Sequence, residues 1–319
     1  MGKRVAVVGG TGFLGYHAVV ELLRRGFEVT ALGLKDFPAR TPPLNDVDVQ
    51  VVDLRIATDA DLGRRLAGFD AVVFAAGADE RATPRTPALD FFRAANVVTT
   101  ERVLRLAKEG GARSAVVLGS YFAYFAKAWP ELRLAERHPY IRSRLEQQEV
   151  AAASGMRTVV LQLPYIFGSA PGQIPLWAPL VRYLARMPLL LYPRGGTNAV
   201  AVRHVGEAVA GAVEGTAAGP ILVGDENLRW ADLLQRLLAA LGRRKSVVTL
   251  PTAALYPSAL IWRLVLRIRG QYSGLDPLHF IPLQTRETFF DPRPGWLALD
   301  FEGGELDQAI VDTVRTSIG

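Results

Sequence analysis

The sequence contains no cysteine and only four histidines in 319 residues. Without thiols the chain can form no disulfide, thiolate nucleophile or thiolate metal site, which is typical of a reducing compartment. We therefore expect a cytoplasmic protein. The histidines show no metal-ligand spacing, so no metal is expected. They are His17, His138, His204 and His279.

Long apolar runs are also missing. No uninterrupted apolar stretch reaches the length that spans a bilayer, and the chain starts directly in a predicted strand, so neither a membrane span nor a secretory leader is expected. The formal charge is +6 and the pI is about 9.7. The cations are scattered and are not interleaved with stacking aromatics. This pattern favours a solvated basic surface over nucleic-acid binding.

A glycine-rich segment follows the first apolar run. Residues 5–8 are Val-Ala-Val-Val, which predicts a buried strand, and residues 17–25 have helical spacing. Between them lies Gly9-Gly10-Thr11-Gly12-Phe13-Leu14-Gly15. A strand, a glycine turn and a helix N-terminus together bind a dinucleotide pyrophosphate, although an ordinary strand–helix turn is the alternative. The predicted cofactor-binding residues here are Gly9, Thr11, Gly12, Phe13, Leu14 and Gly15.

Predicted strands and helices alternate along the chain, which is typical of an α/β protein with a doubly wound parallel Rossmann sheet. We predict an NAD(P)-binding domain over 1–168, with 195–224 returning to the sheet. A smaller interleaved substrate-binding domain would comprise 169–194 and 225–319, where prolines and aromatics become frequent. The further strands are predicted at 27–32, 48–53, 71–75, 114–118, 158–163, 199–205 and 220–223, and the further helices at 94–110 and 140–154.

The end of the second predicted strand bears on the cofactor. Gly33 stands where an acidic residue would bind the adenosine ribose, and Lys35 and Arg40 follow it. A missing carboxylate and nearby cations favour NADP(H) over NAD(H). In the alternative interpretation both cations are solvated, and Asp36 contacts the ribose.

The next two strand ends carry further candidates. Asp53 and Leu54 are expected to meet the adenine, unless Asp53 only caps the following turn. Ala75, Ala76 and Gly77 are small enough for a flat ligand to lie against the backbone, although plain packing would also explain them.

Ser120, Tyr140 and Arg144 are the candidate catalytic residues. Ser120 follows the fifth strand, and Tyr140 and Arg144 share one helix face. A cation near a phenol favours the phenolate and lowers the pKa, which makes proton exchange easier. A serine hydroxyl beside it can hold a substrate oxygen. Taken singly, these residues would be an exposed serine and a surface Tyr–Arg pair.

Together these features resemble the extended short-chain dehydrogenases/reductases, of the NAD(P)-dependent epimerase/dehydratase and dihydroflavonol-reductase type. The resemblance extends from Val5 to about Gly224. It implies catalytic roles for Ser120 and Tyr140, a supporting role for Asn96 in the central helix, and a nicotinamide site lined by Pro164 and Tyr165. The matching motifs are Gly9–Gly15, 53–54, 75–77, 96–97, Ser120 with Tyr124, 140–144 with Glu146, and 163–168.

Three positions depart from the family pattern. Arg144 stands where Tyr-x-x-x-Lys has its lysine, Phe125 replaces a glycine, and Gly206-Glu207 replaces paired aspartates. In the family the lysine holds the nicotinamide ribose and lowers the tyrosine pKa. Arginine keeps the charge but cannot share in a proton relay.

Aromatic residues are frequent in the predicted loops at the catalytic edge. They favour an apolar or aromatic ketone as substrate, unless they form the hydrophobic joint between the domains. They are Tyr121, Phe122, Tyr124, Phe125, Trp129, Tyr165, Phe167 and Trp177.

Residues 256–269 mix leucines, isoleucines and Trp262 with three arginines. We predict a buried helix with snorkelling arginines in preference to a helix on a membrane surface.

The sequence thus predicts an NAD(P)-dependent oxidoreductase that reduces a carbonyl or oxidises an alcohol, with Tyr140 as general acid or base. The alternatives are a nucleotide-sugar epimerase or dehydratase and a non-catalytic NAD(P)-binding regulator. The partner is a small-molecule substrate, and the protein is expected to be a monomer or a homodimer.

Overall fold

The computed structural model describes residues 2–38, 43–187 and 190–318. Its strands are β1 (Arg4–Val8), β2 (Glu28–Gly33), β3 (Asp48–Val51), β4 (Ala71–Phe74), β5 (Ser114–Ser120), β6 (Arg157–Leu163), β7 (Tyr165–Phe167), β8 (Leu190–Pro193), β9 (Gly196–Ala201), β10 (Gly219–Leu222), β11 (Glu226–Arg229), β12 (Val247–Leu250) and β13 (Glu287–Thr288).

Its α-helices are α1 (Phe13–Arg24), α2 (Asp59–Arg65), α3 (Ala88–Phe92), α4 (Thr99–Glu109), α5 (Phe122–Ala128), α6 (Leu134–Arg137), α7 (Pro139–Ala153), α8 (Ala178–Arg186), α9 (Val202–Glu214), α10 (Trp230–Ala240), α11 (Tyr256–Ile268), α12 (Pro277–Gln284), α13 (Arg293–Leu299) and α14 (Leu306–Ile318).

A seven-stranded parallel sheet forms the centre of the protein, in the order β10-β6-β5-β4-β1-β2-β3. Its strands bury both faces, which explains the continuous apolar runs. Val5 and Val7 pack towards α1 and α9, whereas Ala6 and Val8 pack towards α2 and α4. The predicted doubly wound α/β class is confirmed. The strand order reverses between β1 and β4, and in such sheets ligands bind at the carboxyl ends beside this point.

A second sheet lies outside the first and has the order β11-β9-β13, with β7 also paired to β9. The sequence predicts that 195–224 return to the central sheet, but of the two strands in this segment, β9 and β10, only β10 joins it. The strand predicted at 199–205 ends at Ala201, and α9 begins at Val202. The apolar residues of α9 recur at helical spacing and pack against α1. Gly206 permits this approach, because a Cβ there would lie 2.6 Å from the His17 carbonyl oxygen.

The helix predicted at 94–110 begins earlier than expected. It runs on from α3 through a π-helical stretch, Arg93–Val98, into α4. Such a stretch inserts an extra residue into a helical turn and often occurs near functional sites.

The prediction of a buried helix at 256–269 is wrong. In α11 only Ala259 and Leu266 are buried, because the helix packs on α12 from one side and leaves the opposite side open. None of the helices in the described part of the chain combines the length and apolarity that a bilayer crossing requires.

Candidate active site

A cavity of about 460 Å³ opens at the carboxyl edge of the central sheet. Its walls come from the N-terminus of α1, the loops after β4, β5 and β6, the start of α7, and α12. Ten of the predicted site residues line it. They are Phe13, Leu14, Ala75, Ala76, Gly77, Ser120, Tyr140, Arg144, Pro164 and Tyr165.

The glycine loop brings β1, β4 and α1 into close contact. Gly9 has φ +84°, and a Cβ there would lie 2.7 Å from the backbone of Ala75. A Cβ on Gly15 would lie 2.0 Å from the Gly9 carbonyl oxygen. No side chain caps the N-terminus of α1 at Gly12, so the first N–H groups of the helix are free for an anion. This cradle fits a dinucleotide pyrophosphate.

Asn96 ties the loop after β4 to α7. Its buried amide oxygen accepts a hydrogen bond from the Ala78 N–H at 2.8 Å. Its amide nitrogen donates to the Ala78 carbonyl at 3.2 Å and to the Ser143 hydroxyl at 3.2 Å. Asn96 does not line the cavity; its contacts support the cavity wall.

The candidate catalytic residues meet at one end of the cavity. Ser120 is the last residue of β5, and Tyr140 lies in the first turn of α7 after Pro139. The Tyr140 N–H donates to the Gly274 carbonyl at 3.0 Å, which fixes the start of α7 against the chain before α12. Ser120 and Tyr140 are 4% and 3% exposed. They are therefore neither a surface serine nor a surface tyrosine.

Arg144 is held by three hydrogen bonds. Its guanidinium donates to the Gln147 side chain at 2.8 Å, the Ala78 carbonyl at 3.1 Å and the Leu118 carbonyl at 3.3 Å. Its Cζ lies 5.2 Å from the centre of the Tyr140 ring. The Arg144 Nε is buried and has no partner within the described ranges. This free donor fits a ribose hydroxyl of a bound dinucleotide.

Burial dominates the acidity of Tyr140. It raises the pKa of the phenol above its ordinary value, and Glu80 raises it further. Arg144 lowers the pKa through its charge, as predicted, and a hydrogen bond from Ser120 acts in the same direction. Because burial outweighs both, the net shift is opposite to the lowered pKa that the sequence predicted, and the phenol keeps its proton near neutrality.

The sequence analysis missed Glu80 and Arg81, which also line the cavity. Burial is the main cause that raises the pKa of the Glu80 carboxyl, and the charge of Asp79 adds to it. Arg81 pairs with Asp79 and donates to the Leu176 carbonyl at 3.0 Å. Both residues follow the predicted segment 75–77 at the end of β4. Residues that follow the carboxyl end of a strand were expected to line the site, but the path of the loop after β4, which brings these two side chains into the cavity, cannot be read from the sequence.

Apart from Asn96 and the glycine-loop residues Gly9, Thr11, Gly12 and Gly15, three predicted cofactor residues do not line this cavity. The Asp53 carboxylate binds the Arg55 side chain at 2.6 Å and its N–H at 3.0 Å, which lowers the pKa of Asp53 to about 2. These contacts match the turn-capping alternative. Leu54 packs against the core. Lys35 is exposed after β2 and forms no ion pair within the described ranges, and Arg40 lies outside those ranges.

Gly33 is required for a steric reason. A Cβ at this position would lie 2.1 Å from the Thr11 hydroxyl oxygen in the glycine loop. A side chain at position 33 therefore requires the Thr11 side chain to rotate or the glycine loop to move. The Thr11 carbonyl also accepts a hydrogen bond from the Gln173 side chain at 3.1 Å.

The aromatic residues divide between two places. Four of the predicted aromatic residues line the cavity: Tyr121, Phe122, Tyr165 and Trp177. Three aromatic residues that were not predicted line it as well: Tyr192, Trp230 and Phe280. Phe125 and Trp129 instead pack together in the neighbouring hydrophobic cluster, with ring centroids 4.5 Å apart. Phe167 stacks on Trp177 at 5.0 Å, and Tyr124 is partly exposed. Aromatic side chains thus form a substantial part of the cavity wall, beside aliphatic residues and the charged Asp79, Glu80, Arg81 and Arg144.

Comparison with curated proteins finds three reductases. A ceramide reductase of Caulobacter vibrioides is 26% identical over 77% of this chain and 73% of its own length. A 3-diazoavenalumate denitrifying reductase of a Streptomyces species is 30% identical over 81% of this chain and 88% of its own. A protein of a Synechocystis species named as a dihydroflavonol 4-reductase is 26% identical over 97% of this chain and 93% of its own.

Solved structures share the fold. The crystal structure of gox2253 aligns with a TM-score of 0.78 and 22% identity, over 98% of this chain and 97% of that one. A UDP-N-acetylglucosamine 4-epimerase from Bacillus cereus aligns with a TM-score of 0.68 and 17% identity, over 99% of this chain and 100% of that one.

The sequence profile of the NAD dependent epimerase/dehydratase family matches residues 5–212, which cover the glycine loop, Ser120, Tyr140 and Arg144. The chain therefore belongs to this family and is an NAD(P)-dependent enzyme.

Proposed function

We propose that this enzyme is a carbonyl reductase that prefers NADP(H) and acts on apolar or aromatic substrates. The convergence of Ser120, Tyr140 and Arg144 on one aromatic-lined cavity, beside a glycine cradle, carries this proposal. The cavity lies where parallel sheets of this type bind their ligands.

The bound nicotinamide cofactor supplies the hydride that reduces the substrate carbon. Ser120 holds the substrate oxygen by a hydrogen bond, and Tyr140 donates its phenolic proton to that oxygen as the new C–H bond forms. The product is an alcohol, and Tyr140 recovers its proton from solvent. Burial and Glu80 raise the pKa of Tyr140 and make the phenol a weaker acid, and the charge of Arg144 opposes this shift.

Arg144 has two roles in this proposal. Its positive charge stabilises the phenolate that Tyr140 becomes after it gives up its proton. Its free Nε would hold a cofactor ribose hydroxyl, the position that lysine serves in related enzymes. Since arginine is effectively never deprotonated, the proton that returns to Tyr140 does not pass through Arg144.

The preference for NADP(H) rests on the end of β2. Gly33 supplies no carboxylate at this position, and exposed Lys35 lies two residues beyond it. An acidic group at this position would bind the ribose 2′-hydroxyl and repel a 2′-phosphate, whereas a lysine attracts the phosphate.

The cavity wall supports the substrate class. Tyr121, Phe122 and Tyr165 present aromatic surface around Ser120, which suits an apolar body attached to the carbonyl. The three curated relatives named above are reductases by name, although their names indicate different substrates.

The test is NADPH oxidation with a panel of aryl and long-chain alkyl ketones, for wild type and Tyr140→Phe. We expect turnover by wild type and a fall of about 10²- to 10⁴-fold in the variant, the usual contribution of a general acid. NADPH affinity should stay within about threefold, because the ring packing is retained.

Wild-type turnover in the variant would contradict the role of Tyr140. Conversion of a nucleotide sugar with no net change in the cofactor would instead identify an epimerase. Cofactor binding with no turnover of either substrate class would favour a regulatory protein.

A further inference from the structure

The outer face of α11 is apolar and open to solvent. Leu260, Ile261, Leu264 and Ile268 are 55%, 64%, 57% and 76% exposed. Their spacing of three and four residues places them on one side of the helix, since each residue advances by about 100°. Ala259 and Leu266, the two buried residues of α11, lie on the opposite side. The apolar side chains thus face directly away from the protein.

Arginines lie along both edges of this apolar face. Arg263 and Arg267 follow each other one turn apart on one edge, and Arg269, the residue directly after α11, lies on the other side. Residues 233–275 contain seven lysines and arginines and no aspartate or glutamate. In the described ranges, the only ion pair of α11 joins Arg263 Nε to Asp276 at 3.6 Å. The other two arginines remain available to an anionic partner.

The helix is also connected to the catalytic cavity. α11 packs on α12, whose Phe280 and Gln284 line the cavity. Gly274 lies in the segment between the two helices, and its carbonyl accepts a hydrogen bond from the Tyr140 N–H. A partner bound to α11 would therefore lie next to the helix and the loop that form part of the cavity wall.

We propose that α11 lies in the interface of a bilayer that contains anionic phospholipid. An apolar face flanked by arginines is the pattern of helices that lie in the plane of a membrane. Arginines at such a surface are attracted to acidic lipid headgroups. With 13 residues, α11 is about 20 Å long and lies along the interface without crossing it.

Charge favours a lipid surface over a second copy of this chain. In a two-fold dimer formed through this face, the arginine edges of the two helices would meet, and α11 has no carboxylate to pair with them. A bilayer supplies both the apolar interior and the opposite charge.

The test is co-sedimentation of the full chain with vesicles of phosphatidylcholine alone or of equal parts phosphatidylcholine and phosphatidylglycerol. We expect binding to the anionic vesicles, much weaker binding to the neutral ones, and weakening by salt. Arg267→Glu should weaken binding at least about fivefold. The double variant Leu264→Asp, Ile268→Asp should abolish it.

Leu297→Asp is the matched control, because Leu297 is 86% exposed on α13, outside the proposed face. It should bind vesicles like wild type, and all variants should keep the wild-type melting temperature. Equal binding by the double variant and wild type would overturn the proposal. A dimer that dissociates in the double variant, with no vesicle binding by wild type, would also overturn it. Neither result bears on the proposed reduction, which NADPH oxidation with a soluble ketone tests separately.

Discussion

Replacement of Arg144 separates the charge of this residue from its hydrogen bonds. Arg144 is 8% exposed, and its guanidinium donates to the Gln147 side chain and to the Ala78 and Leu118 carbonyls. A lysine keeps the charge but offers one nitrogen, so Arg144→Lys loses one or two of these bonds. At about 1.5–3 kcal/mol for each hydrogen bond to a charged group, the free energy of unfolding should fall by about 1.5–6 kcal/mol. Arg144→Met loses all three bonds and the charge.

The kinetic effects of the two variants should differ more than their stabilities. In Arg144→Lys the cation near Tyr140 remains, so kcat is expected to stay within about tenfold of wild type. In Arg144→Met the charge that most lowers the Tyr140 pKa is gone, and the phenolate formed during reduction loses the cation one turn away on its own helix. We expect kcat to fall by about 10²-fold or more, or about 2.7 kcal/mol in the activation barrier.

Both variants can be assayed by NADPH oxidation with the best ketone of the panel, at a temperature where each is folded. Urea unfolding gives the stability difference separately. If Arg144→Lys lost as much kcat as Arg144→Met, the fixed guanidinium and not its charge would be required. If Arg144→Met retained wild-type kcat, the assignment of a catalytic role to Arg144 would be refuted.

Three further predictions follow from neighbouring residues. Glu80→Gln removes a negative charge that raises the pKa of Tyr140. In a pH–rate profile, the loss of kcat with rising pH should therefore begin at a lower pH than in wild type. A decline of kcat at the same pH as in wild type would contradict this prediction. In fluorescence titrations, Lys35→Ala should weaken NADPH binding by about fivefold and leave NADH binding unchanged. Equal losses of NADPH and NADH affinity in this variant would contradict the proposed preference for NADP(H). Gly33→Asp should weaken the binding of both cofactors, because its Cβ would meet the Thr11 side chain of the glycine loop. Asn96→Ala leaves buried backbone groups unpaired and should cost about 2–4 kcal/mol in urea unfolding, and a loss below about 1 kcal/mol would contradict its supporting role.

The sequence was sufficient for the parts of the fold that depend on local pattern. Buried β-branched runs predicted β1, β4 and β6, and the glycine spacing predicted the turn into α1. Ser120 and Tyr140 could be found because one ends a strand and the other opens a helix at the same edge of the sheet.

Features that depend on distant pairing could not be read in the same way. The pairing of β9 with β7, β11 and β13 depends on segments up to about 90 residues away, so a local strand pattern does not reveal its sheet. The loop that brings Glu80 into the cavity has no periodic pattern. α11 has the composition of a buried helix, and only its neighbours in three dimensions show that its apolar side is uncovered.

A crystal structure of the protein with bound NADP⁺ tests the central claim most directly. The account predicts the pyrophosphate at the glycine loop, the ribose at Arg144, and the nicotinamide ring in the cavity beside Ser120 and Tyr140. A nicotinamide ring that lies away from both hydroxyl groups, or a cofactor bound outside the cavity, would contradict it.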